Sequence, residues 1–199
     1  RIEAEVLTDP SNATMLVRSA LSELECALAQ HVFATGLVAD ELRDGSLSEM
    51  FWDYDRRTLS ASRGQYATGG CGSTVPGNYM ALSSARFQAD DALRLLGEWT
   101  DAEVPGRTDL IAQAAASAGY SLVLLGESMC SAAIDLGPEM SRAQLFSAAA
   151  SRFDRALEAA TAAENAEFVN LSLVGRARAR LSLGDANGAA SDAALVPAG

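Results

Sequence analysis

Apolar positions recur at helical spacing along most of the chain, and one long stretch breaks the period. Val17, Leu21, Leu24, Leu28 and Val32 return every three or four residues, which predicts a first helix with this stripe turned to a core. Asp9-Pro10-Ser11 marks its start, an N-cap followed by a proline that the first turn tolerates. Residues 35–78 lose the pattern: glycines crowd the segment, with aromatic and charged clusters between them. A short helix over 47–53 and at most a short hairpin within 55–75 are expected there. An unstructured excursion of that length is usually functional or pinned by a crosslink. The period resumes from Tyr79 to Trp99 through Leu82, Phe87, Ala89, Leu93 and Leu96, until Pro105-Gly106 breaks it. Further helices are expected from Thr108 to Gly126, around Ser128–Asp135, and over Arg142–Ala163, the last opened by the capping-box pair Ser141 and Gln144.

The final third has the grammar of a helical repeat. Ala177 offers a small residue for close helix approach, Gly184-Asp185 turns the chain, Ala189 and Ala193 share a face of the next helix, and Pro197 closes the unit. Gly119 and Gly126 echo Ala177 and Gly184, with Leu-Gly-acid triplets at 125–127 and 183–185. The copies lie farther apart than the roughly 34 residues of a tetratricopeptide unit, as in a decorated repeat. The expected fold is therefore all-α: tetratricopeptide-like antiparallel helical hairpins in one domain over 1–199, clearest over 108–199, with the looped excursion after the first helix. Gly119 and Ala177 are expected where helices pack closest.

Composition narrows the function classes. The 199 residues carry a net charge of −11, and every basic residue is arginine. The absence of lysine excludes Schiff-base chemistry and a phosphate-loop lysine. An acidic chain with a pI near 4.5 is also ill suited to nucleic acid, which needs a basic surface. Leu110 to Gly126 is uncharged but carries Gln113, Ser117, Gly119 and Ser121. It reads as a buried repeat helix, so no transmembrane segment is expected.

Catalytic signals are sparse. The single histidine, His31, reads as a structural helix residue, and no G-x-S-x-G elbow accompanies it. Cys26, Cys71 and Cys130 lack zinc-ligand spacing, and Gly69-Gly70-Cys71-Gly72 lacks the ending of a phosphate loop. Asp40-Glu41 and Asp90-Asp91 read as solvated surface. The expectation is a non-enzymatic protein with no cofactor and no metal.

Phe51-Trp52-Asp53-Tyr54-Asp55-Arg56-Arg57 is the richest polar–aromatic cluster. Trp52, Tyr54, Arg56 and Arg57 are residue types that dominate binding hot spots, and Tyr66 and Tyr79 flank the far side of the excursion. The alternative is that Phe51 and Trp52 anchor the excursion while the arginines form ordinary ion pairs.

The helical run from Arg107 to Ala160, followed by GRARARLSLGDANGAASDAALVP, resembles the N-terminal helical half of the SusD/RagB family. The opening Thr8-Asp9-Pro10 and the excursion fit the same layout. Members are extracytoplasmic, usually lipid-anchored partners of an outer-membrane transporter, and many bind glycans through a large C-terminal part. The resemblance thus implies work outside the cytoplasm, at the periplasm or outer-membrane surface, with a membrane protein complex or transporter as partner. The chain begins at Arg1 without Met and reads as the N-terminal part of a longer architecture. Two functions follow as expectations: an extrinsic subunit docked on a membrane-bound complex, or a nutrient- and glycan-binding lipoprotein. An oxidising location permits one disulfide. Cys26–Cys71 is favoured because Cys26 lies on the helix leading into the excursion, with Cys71–Cys130 as the alternative, which spacing alone does not separate. The remaining thiol is expected buried in a helix.

Overall fold

The computed structural model describes residues 8–46, 48–59, 68–71 and 77–197. They form an all-α fold: α1 (Ala13–Val38), a short α2 (Trp52–Asp55), α3 (Tyr79–Glu98), α4 (Arg107–Ser128), α5 (Arg142–Ala162), α6 (Ala166–Ser182) and α7 (Ala186–Ala193). A single hairpin of β1 (Ser131–Ala133) and β2 (Glu139–Ser141) interrupts them. The helices pair as α1/α3, α4/α5 and α6/α7, and α1, α4 and α6 also lie side by side.

The helix boundaries follow local chemistry. Asp9 accepts a hydrogen bond from the Ser11 amide at 2.9 Å, and Pro10–Asn12 form a 3-10 turn into α1. At the start of α5, Ser141 and Gln144 satisfy each other's backbone amides as a capping box. The two later turns share one device. Glu164 and Gly184 each enter the left-handed region, at φ 55° and 84°. The following amide then reaches back to a helix carbonyl (Asn165 to Ala160, Asp185 to Arg180, both 2.9 Å). Asn165 and Asp185 next accept from the Phe168 and Gly188 amides as N-caps of α6 and α7. The repeat signal at Gly184-Asp185 therefore has its structural counterpart at Glu164-Asn165.

Gly126 is no turn. It lies inside α4, where an added Cβ would stand 2.7 Å from the Phe146 ring. The closest helix approach is likewise displaced from its expected place on α6. Phe153 of α5, fully buried, wedges its ring between Gly119 and Gly175 and meets Tyr120 edge-on at 5.0 Å. Ala177 is only partly buried, because it lies away from that seam. On α7, Ala189 is buried and Ala193 exposed, so the two do not share a core face.

Three further expectations are corrected. Helix α1 continues through Gly36 to Val38, and Asp40 in the left-handed region ends it, so the excursion starts later than residue 35. The segment expected as a helix around 128–135 is the β-hairpin, whose turn residues Asp135 and Leu136 have φ 52° and 59°. Only the first part of the apolar stripe of α1 faces the core: Val17 is buried, and Leu21 and Leu24 pack against the core clusters. Ala13, Val17, Ala20, Ala27, His31 and Ala34 form the buried seam, while Leu28 and Val32 are 44% and 55% exposed. Alanines permit the close approach to α3 that larger residues would block. Part of residues 55–75, with the hairpin expected there, lies outside the described residues.

Cys26 and Cys71 form the disulfide, with Cα atoms 5.9 Å apart, tying the excursion to α1. Cys130 is a free thiol but stands exposed between α4 and β1, not buried in a helix. Helix α4 is the one described helix long and apolar enough to cross a membrane, yet 78% of its apolar window is buried inside the fold. Asp90, expected at the solvated surface, is instead held by Arg86 at 3.1 Å and Arg152 at 2.7 Å.

Candidate docking surface

Because α1, α4 and α6 are neighbours, their outward faces meet in an open groove of about 260 Å³. Its floor is Tyr120 and Leu124 of α4, and its walls are Leu24 and Leu28 of α1 with Leu171 of α6. Tyr120 donates its hydroxyl proton to the Leu171 carbonyl at 2.8 Å, so the ring faces the groove with its polar end satisfied. Burial pushes the Tyr120 phenol up from its ordinary value, against the opposing Arg178 charge. The stripe continues on both walls through Val32 and Val174, each about half exposed. Arg178 closes one end and makes two bonds of 2.6 Å to Glu127.

His31 lies beneath this end, 8% exposed, its Nδ1 without a hydrogen-bond partner. Burial lowers its pKa below the ordinary imidazole value. Glu127 and a hydrogen bond to Asn78 work the other way, and Arg178 adds to the lowering. The ring is therefore a neutral packing element. It has no nucleophile to activate at hydrogen-bond distance, and no three His, Cys, Asp or Glu side chains converge on a metal position among the described residues.

The aromatic–arginine cluster divides in two. Tyr54 is fully buried with Ala34 and Leu37, and Phe51 meets Phe33 edge-on at 5.1 Å, so these two rings anchor the short helix to the end of α1. Trp52 faces outward at 39% exposure, and the Arg56 guanidinium covers its ring at 4.4 Å. Arg57 pairs with Asp40 at 3.4 Å at the surface. Tyr79 lies elsewhere, donating to the Ala133 carbonyl at 3.1 Å where α3 meets the hairpin, and Tyr66 lies outside the described residues. Among the described candidates, the cluster thus supplies one outward patch, Trp52–Arg56, with Tyr79 lying apart from it.

Sequence reasoning missed the groove. Its signal was present in α6, where exposed Leu171 lies opposite buried Leu173 and exposed Val174 shares the Leu171 side, so the apolar residues spread beyond one core face. The same signal on α1 was absorbed into an assumed core stripe.

The chain matches no family model, no curated protein and no solved structure at a significant level.

Proposed function

We propose that this protein is a non-enzymatic docking module that presents the α1/α4/α6 groove to a partner protein. The observation that carries the reading is the groove itself. Leu28 and Leu171 are left exposed on walls over an apolar floor, where a partner's side chains would gain burial that folding does not supply. The disulfide favours an oxidising, extracytoplasmic setting. In that setting, and in line with the SusD/RagB resemblance, the partner belongs to a membrane-bound complex on which this chain sits as an extrinsic subunit. Glycan binding is the weaker reading. The outward ring best placed to stack on a sugar is Trp52, and Arg56 already covers one of its faces.

Co-purification from the native membrane fraction tests this proposal. Leu28→Asp and Leu171→Asp are expected to release the protein from a stoichiometric complex with the helical circular dichroism unchanged. Retention of both variants, or binding of a saccharide lost on Trp52→Ala, would contradict it.

A further inference from the structure

The charge arrangement along the groove restricts what can occupy it, and we infer that its partner is a basic amphipathic helix. The inference rests on the docking reading above and adds the chemistry of the ligand. Leu24, Leu28 and Val32 recur along α1, and Leu171 and Val174 along α6, so both walls run lengthwise with the helices. That shape suits a helix presenting apolar anchors at i, i+3 or i+4, and i+7.

The three helices carry five arginines and five carboxylates, but the charges left without an ion-pair partner among the described residues are mostly negative. Glu25 stands exposed beside Leu28 on α1, and Glu167 stands exposed at the start of α6, neither with a cationic partner among the described residues. Asp109 lies on the same helical phase of α4 as Tyr120. Its carboxylate accepts only from neutral groups, the Asn165 and Gln113 amides, both at 2.7 Å. Arginines on α6 are already committed: Arg178 to Glu127, and Arg176 and Arg180 to Asp192. Arg18 is the exception on α1, and it borders a separate shallow surface with Ser11, Met15 and Ser22. A helix whose polar flanks carry lysine or arginine would meet Glu25, Asp109 and Glu167 along its length. An acidic one would meet like charge at each.

Two synthetic peptides of about 14 residues, with the same leucine stripe and either lysine or glutamate elsewhere, test this against the full chain. Binding is read by fluorescence anisotropy near 0.15 M salt, where the screening length is about 8 Å. The lysine peptide is expected to bind at least about tenfold more tightly than the glutamate peptide, with Glu25→Gln/Glu167→Gln narrowing that difference. Leu28→Gln/Leu171→Gln, which keeps the net charge, is expected to weaken the lysine peptide about tenfold or more. Equal binding of the two peptides, sensitive to the leucine changes, would overturn the charge assignment and leave the groove reading intact. Lysine-peptide binding that ignores the leucine changes would be general attraction to an acidic protein and would overturn both. Binding of neither peptide would also overturn both.

Discussion

At the scale of single residues, Leu136 is held in a conformation that its side chain does not favour. Leu136 sits fully exposed in the hairpin turn at φ 59°, beside Asp135, which Arg86 holds through bonds of 2.6 and 3.0 Å. A leucine in the left-handed region pays a steric cost that asparagine or glycine avoids. Leu136→Asn is therefore expected to raise stability by about 0.5–1 kcal/mol, measured by denaturant unfolding, because it makes no contact to lose. An unchanged or lower midpoint would contradict that turn geometry. Gly175 is the opposite case. A Cβ there would collide with Phe153, so Gly175→Ala should cost about 1–3 kcal/mol. His31 sets a pH dependence. Its folded pKa lies below 6.5, so the unfolded chain binds the extra proton first. The stability contributed by neutral His31 is complete above pH 6.5 and is lost as pH falls through the lowered folded value. Thermal melts of the parent are expected to decline below pH 6.5 more steeply than those of His31→Leu.

At the scale of elements, the sequence was informative where backbone chemistry decides and misleading where packing decides. The caps at Asp9, Ser141 and Asp185 and the left-handed Gly184 follow from short-range hydrogen bonds that residue types announce. The hairpin at 131–141 was not legible, because Ser131-Ala132-Ala133 has no strand-like alternation and its turn uses Asp135-Leu136 where Asn-Gly would be the usual signal. Gly126 resembled a helix stop because a glycine followed by an acid looks the same in sequence whether it turns the chain or receives an aromatic ring. Leu28 and Val32 of α1 were misassigned to the core for a related reason: leucines and valines mark apolarity, but the alanine seam marks contact. Of the candidate site, Trp52 and Arg56 were legible as binding-type residues, but their outward stacking on each other was not. Nor was the groove, because it exists only once three helices distant in sequence lie side by side.

The disulfide belongs to the same scale. It closes a separation of 45 residues, and its removal by reduction is expected to lower stability by roughly 4 kcal/mol, less any native strain. Mass spectrometry of the non-reduced, alkylated protein should find a single modified cysteine, Cys130. Modification of all three would refute the bridge and remove the structural support for an oxidising location.

At the scale of the whole molecule, the three hairpins leave one layer of helices with apolar side chains outward, and no described part of the chain covers them. A cluster of ion pairs holds α6 to α7. Asp192, itself buried, receives Arg176 at 2.6 Å and Arg180 at 2.8 Å, and these hydrogen bonds hold the Arg176 guanidinium firmly charged. Such a pair is costly to break from one side. Asp192→Ala should therefore loosen α7 from α6 and lower stability by about 3–5 kcal/mol, a loss that calorimetry would register. The wall residues Leu28 and Leu171, 44% and 40% exposed, are not part of the buried core, which is why their substitution can be read as binding and not as folding. Amide chemical-shift mapping of the chain on titration with the leucine–lysine peptide tests that claim most directly. Perturbations are expected along residues 24–32, 120–127 and 167–178, whereas shifts confined to Trp52 and Arg56, or spread evenly over the acidic surface, would contradict the groove as the binding site.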